Sequence, residues 1–181
     1  MEVMQAPDLP DVSALLQRVG MTLLNSVGGA MGPLFGVAFI RAGQAAAGWE
    51  IIDGNLVAAM LEAARDGVMA RGKARSGDKT MVDALAPAAE AARQAADAGA
   101  DGLAVLSAAS DAATRGAVAT REMLARMGRA SRLGERSRGH QDAGATSVAV
   151  MLAAARGALD PTSAPGAVAL PSEIGAGLAS S

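Results

Sequence analysis

The stretch VGMTLLNSVGGAMGPLFGVAFI, residues 19–40, decides how the rest of the chain is read. It carries no charged side chain, lies between Arg18 and Arg41, and is about as long as a bilayer-spanning helix requires. Its middle argues against a membrane. Gly28-Gly29 and Gly32-Pro33 would loosen backbone hydrogen bonds where lipid offers no replacement partner, and Asn25 and Ser26 add polar cost. The stretch therefore reads as two soluble helices joined by a tight glycine-rich corner. The first ends near Ser26 and the second starts around Pro33, a residue favoured in a first helical turn.

Working outward, Asp11 supplies an N-cap, and Leu15, Leu16, Val19, Leu23 and Leu24 recur at helical spacing. The second helix, Leu34 through Ala47, is apolar on most sides and stops near Gly48. Asp53 or Asn55 caps a third, where Leu56, Met60, Ala64 and Val68 form one stripe and Gly72 ends the run. A fourth starts behind Gly77-Asp78 and reaches about Ala98, with Pro87 inside it as a kink. From Asp101 to Met127 a fifth helix carries Leu103, Leu106, Ser110, Ala113, Ala117, Thr120 and Leu124 at alternating three and four spacing. That seam of small side chains permits close helix approach. A polar loop from Gly128 to about Gly144 precedes a last helix with Val148, Met151, Leu152 and Ala155, which ends before Asp160-Pro161.

Composition agrees with an all-α, antiparallel up-and-down bundle of six helices. The 181 residues suffice for one core, aromatics make up 2%, and there is no tyrosine or cysteine. The expected organisation is an N-terminal tail over 1–10, a helical domain over 11–159, and a disordered Pro-, Gly-, Ala- and Ser-rich tail over 160–181. A formal charge of −2 provides no global attraction to nucleic acid or anionic lipid. Without cysteines there is no disulfide framework, thiolate metal site or cysteine nucleophile. No secretory leader opens the chain, so a cytoplasmic location is expected.

In an up-and-down bundle alternate loops share a rim. The first, third and fifth loops, Gly28–Gly32, Gly72–Lys79 and Gly128–Gly144, hold most of the glycine-rich and charged sequence; the others are short and plain. Each glycine pair alone reads as a helix terminator. Three such loops on one rim, with amides close to helix N-termini, favour a phosphate cradle. The fifth loop is also basic, with Arg126, Arg129, Arg132, Arg136 and Arg138 against Glu135, and arginine forks suit phosphate oxygens. No aromatic interleaves with them to stack on a base, so nucleic acid is not the expected partner. His140, alone in a polar loop, reads as a hydrogen-bonding group rather than an acid or base.

These loops resemble the nucleotide-binding L subunit of dihydroxyacetone kinases, a family also found as the C-terminal domain of single-chain ATP-dependent enzymes. The likeness is carried by Gly20-Met21-Thr22-Leu23-Leu24, Val27-Gly28-Gly29-Ala30 with Gly32-Pro33-Leu34, and Arg71-Gly72-Lys73 with Gly77-Asp78-Lys79-Thr80-Met81. It continues through Gly128-Arg129-Ala130-Ser131, Leu133-Gly134-Glu135-Arg136-Ser137, Gly139-His140-Gln141-Asp142 and Gly144-Ala145-Thr146-Ser147, covering about residues 12 to 158. The resemblance implies a closed barrel of eight antiparallel helices with a nucleotide and two magnesium ions at one rim. By position, Gly28, Gly29, Ala30 and Met31 would line the nucleotide. Gly72 and Met81 would flank the adenine, and Arg129 with Asp142, Ala143 and Gly144 would complete the site. It further implies a phosphotransferase subunit that takes a phosphoryl group from a phosphocarrier subunit and, through bound ADP/ATP, passes it to dihydroxyacetone on a separate kinase subunit. Magnesium and oriented donors would carry that transfer, so no catalytic side chain is expected here.

The departures bear on metal binding. The family holds magnesium through a Gly-Asp-x-Asp-His-Gly motif ahead of the matching region, and no such motif occurs; Asp8 and Asp11 do not reproduce the spacing. No metal ligand is therefore assigned, and the chain alone is expected to be inactive. Met31, Arg132 and Ala143 stand where a serine, an aromatic and a proline are usual. Two readings follow: a kinase subunit whose upstream reading frame encodes the missing aspartates, or a non-catalytic regulatory or structural relative that cannot hold magnesium.

Overall fold

Aspartates start four of the six α-helices. Asp11 accepts from the Ala14 amide at 2.6 Å to open α1 (Val12–Ser26), and Asp53 from the Leu56 amide at 2.8 Å to open α3 (Gly54–Gly72). Asp101 caps α5 (Gly102–Ala119) and Asp142 caps α6 (Ala143–Leu159), each through an amide at 2.8 Å. Each such cap is worth about 1 kcal/mol. The other two, α2 (Met31–Ala45) and α4 (Val82–Asp97), have no side-chain bond from the N-cap residue. The computed structural model describes residues 11–160 and 162; the tails expected over 1–10, with Asp8, and over 160–181 lie outside them, Asp160 and Thr162 excepted.

Consecutive helices pack on one another from α1 to α6, and α3 also touches α5 and α4 touches α6. Small residues set the spacing. At the α1–α2 crossing, a Cβ on Gly20 would lie 2.6 Å from the Gly36 carbonyl oxygen. Between α4 and α5 the fully buried Ala84, Ala88, Ala109, Ala113 and Ala117 form the seam. No comparable packing closes α1 onto α6, so the six helices form an open array rather than a closed barrel. An apolar cavity of about 290 Å³ runs along the opening, bordered by Leu16, Phe35, Met60, Leu106, Met151 and Leu159.

Some boundaries differ from the sequence reading. Helix α2 begins at Met31, and Pro33 occupies its third position, where the missing N–H has no intrahelical acceptor to lose. Helix α5 stops at Ala119, not Met127. A 3-10 turn, Thr120–Glu122, follows, and the chain is extended at Met123. The backbone there bonds outward: the Arg126 amide donates to the Asp78 carbonyl at 3.1 Å and the Ala125 amide to Ser137 Oγ at 3.0 Å. Residues Arg129–Ser137 form 3-10 turns broken at Gly134, and Ala143 and Gly144 belong to the first turn of α6. Pro87 lies within α4 as expected. Among the described residues no helix is long and apolar enough to cross a membrane, and residues 19–40 divide between α1 and α2.

Candidate nucleotide-binding rim

The third loop is organised by Asp83, a buried side chain whose carboxylate accepts from the Gly77 amide at 2.5 Å and the Thr80 amide at 2.8 Å. Asp78 accepts from the Arg75 amide at 2.8 Å. Between them Lys79 takes a left-handed conformation and turns its ammonium inward, 4% of the residue remaining exposed. Its Nζ donates to the Met123 carbonyl at 3.2 Å and to the Ser137 carbonyl. The two ends of the basic loop are thereby tied to one buried cation. Burial lowers the Lys79 pKa, opposed by the field of Asp142.

The fifth loop returns through Thr120, whose hydroxyl donates to the Ala117 carbonyl and accepts from the Asp142 amide at 2.8 Å. Burial raises the Asp142 carboxyl pKa, while the Ala145 and Gly144 amides at the start of α6 pull it back. A Cβ on Gly144 would stand 3.0 Å from the Asp142 carboxylate and 3.2 Å from Met81 Cβ, so α6 meets the start of α4 at a glycine.

The first loop faces the fifth across an open pocket of about 620 Å³ bounded by Gly28, Gly29, Ala30, Gly128, Arg129 and Arg132. Gly29 and Gly128 are left-handed, a conformation glycine adopts without steric cost. Because Ala30 offers no side-chain cap, the first amides of α2 are left to other acceptors. The guanidiniums of Arg129 and Arg132 have no hydrogen bond or ion pair among the described residues, whereas Arg138 is held by Glu135 at 2.9 Å and the Glu122 carbonyl at 2.9 Å. Two unpaired guanidiniums, glycine amides and an uncapped helix start can hold a phosphate-bearing anion.

The residues singled out from the sequence fall into two groups on this rim. Gly28, Gly29, Ala30 and Arg129 border the pocket; Met81, Asp142 and Gly144 form the neighbouring junction of α4 and α6. Met31 instead packs against the core, Gly72 ends α3 beside Leu34, and Ala143 is exposed on α6. Sequence reasoning missed Lys79, Asp83 and Thr120. Lys79 and Asp83 lie in a Gly-Asp-Lys-Thr-Met-Val-Asp run whose spacing does not say that the lysine points inward, and Thr120 read only as one more position of the α5 seam. Magnesium does not fit the described residues: no three acidic or imidazole side chains converge, and Asp83 and Asp142 commit oxygens to backbone amides.

The described residues form an all-helical array whose glycine- and arginine-bearing loops meet at one rim. The chain belongs to the DAK2 domain family, which matches residues 1–157. It is similar to the PEP-dependent dihydroxyacetone kinase ADP-binding subunit DhaL of Escherichia coli (strain K12), 49% identical over 142 residues, 78% of this chain and 68% of that protein. It is also similar to the ADP-binding subunit DhaL of PEP-dependent dihydroxyacetone kinase 2 of Listeria innocua, 43% identical over 76% of this chain and 63% of that protein. A third relative, the L-erythrulose kinase of Pectobacterium atrosepticum, is 37% identical over 81% of this chain and 25% of its own length. The chain thus spans about two thirds of the ADP-binding subunits it matches.

Proposed function

We propose that this chain is the nucleotide-binding subunit of a dihydroxyacetone kinase, relaying a phosphoryl group through bound ADP/ATP from a phosphocarrier subunit to dihydroxyacetone on a partner subunit, in the cytoplasm. The observation that carries the reading is the pocket in which Gly28, Gly29 and Ala30 face Arg129, on the same rim as Met81 and the Asp142–Gly144 start of α6. The relatives named as ADP-binding subunits support the choice of nucleotide. In this reading the chain's own groups bind and orient: glycine amides approach the phosphates, Arg129 supplies a fork, and the Lys79-tied loop fixes where that arginine stands. No proton transfer is assigned to a side chain.

One observation favours a second reading. Since no carboxylate cluster is built from the described residues, a relative that binds nucleotide without transferring phosphate is consistent with the same rim. Reconstitution separates the two. The chain is mixed with ADP, a dihydroxyacetone-binding kinase subunit and a phosphorylated phosphocarrier subunit, and dihydroxyacetone phosphate is measured. ADP-dependent product supports the relay; retained ADP without product supports the non-catalytic relative; failure to retain ADP contradicts both.

A further inference from the structure

The start of α6 is set from the far side of the fifth loop. Helix α5 ends at Ala119, and Thr120, the first residue of the 3-10 turn that follows, is fully buried. A threonine hydroxyl has one proton to give and two lone pairs to offer. The proton goes to the Ala117 carbonyl at the end of α5, so the oxygen faces the fifth loop as an acceptor, and the Asp142 amide donates to it at 2.8 Å. That amide precedes the first turn of α6 and has no acceptor within the helix. Asp142 is thus held at both ends: its amide by Thr120, its carboxylate by the Ala145 amide at 2.8 Å. Beside it the Gly139 amide donates to the Arg121 carbonyl at 2.8 Å. The Arg121 contact is backbone, whereas the Thr120 contact is a side chain that substitution can remove.

We infer that Thr120 is a positioning residue for the nucleotide: its hydroxyl fixes where α6 begins relative to α4 and α5. Thr120 has no exposed surface with which to touch a ligand, so it acts through Asp142. The inference rests on the nucleotide reading for what the positioned groups hold. A Cβ at Gly144 would stand 3.2 Å from Met81 Cβ, so the start of α6 has no room to shift towards α4. Once released it moves away from Met81, and the gap widens between two elements that the nucleotide reading assigns to the ligand. Loss of the hydroxyl supplies the reason to move, because a buried amide left without its acceptor gains by reaching water. Binding groups displaced by a fraction of an ångström to about an ångström lose much of their grip.

The test is calorimetric titration of the intact chain with ADP, in buffer containing magnesium, beside Thr120→Val, Thr120→Ser and Thr114→Val. Thr114→Val is the matched control: it removes a buried hydroxyl from α5, but one that donates to the Ser110 carbonyl of the same helix at 3.0 Å. Thermal melts establish that each variant is folded at the titration temperature, and amide hydrogen exchange of the ligand-free proteins is read at residues 142–146. Should Thr120→Val not fold, Thr120→Cys replaces it with the same expectations, since a thiol is a weak acceptor. ADP should bind about tenfold more weakly to Thr120→Val, and no more than about twofold more weakly to Thr120→Ser and Thr114→Val. Exchange at 142–146 should speed about tenfold or more in Thr120→Val alone. Equal weakening in both valine variants, an equal loss in Thr120→Ser, or unchanged affinity in Thr120→Val overturns the inference. If the unaltered chain binds no ADP, the nucleotide reading fails and exchange alone decides. Acceleration confined to Thr120→Val then keeps Thr120 as the residue that sets α6, and unchanged exchange removes that role as well.

Discussion

Lys79 is the residue on which the geometry of the rim most depends. Replacing it with methionine keeps much of the side-chain volume but leaves the Met123 and Ser137 carbonyls without their donor. The expected loss is about 1–3 kcal/mol in denaturant unfolding, with protease cleavage between residues 123 and 138 appearing before global unfolding. Unchanged stability together with an unchanged cleavage pattern would show that the ammonium does not hold the loop. Asp142 contributes a pH dependence of definite sign. Its pKa in the folded chain lies above 3.8, so the folded state holds that proton more tightly than the unfolded state. The corresponding stability is present below 3.8 and is lost as pH rises through the raised value. Asn caps about as well as Asp, so Asp142→Asn should gain on the unaltered chain as pH rises from 4 to 7, measured as the difference between their denaturation midpoints. A difference that stays flat or shrinks contradicts this. At this scale the sequence was only partly legible. Asp142 could be read as polar and near a helix start, but its burial and the inward turn of Lys79 come from loops distant in sequence.

Among the elements, α4 and α5 are coupled through a proline and a glycine. Pro87 has no N–H to offer the Asp83 carbonyl four residues back, and a Cβ on Gly116 of α5 would lie 2.2 Å from that same oxygen. The gap that proline leaves in the ladder of α4 is therefore where α5 comes closest. Gly116→Ala should cost about 1–3 kcal/mol in denaturant unfolding despite its better helix propensity, because the obstacle is backbone rather than a movable side chain. A neutral or stabilising result would mean that the two helices separate at no cost. Helical periodicity identified all six α-helices, since each buries one face, and Asp11 and Asp53 were legible as caps, whereas α2 and α4 start behind Ala30 and Met81 with no side-chain cap. It extended α5 too far because Thr120 and Leu124 continue the spacing. The outward hydrogen bonds of Ala125 and Arg126 stop the helix, and no local pattern encodes them.

For the whole molecule, a net charge of −2 conceals a local arrangement in which two arginines whose guanidiniums are unpaired among the described residues border a glycine-rich pocket. The alternation of plain and unusual loops made that rim legible, because an up-and-down array places every second loop at the same end. The open side between α1 and α6 was not contained in that pattern, which fixes neighbours along the chain but not whether the last helix meets the first. The central claim is that the rim binds ADP. Calorimetric titration of the intact chain with ADP, with and without magnesium and beside Arg129→Ala, tests it most directly. Saturable binding at one site, weakened about tenfold or more in the variant, is the predicted result. The absence of binding under both conditions, or binding indifferent to Arg129, would contradict the account.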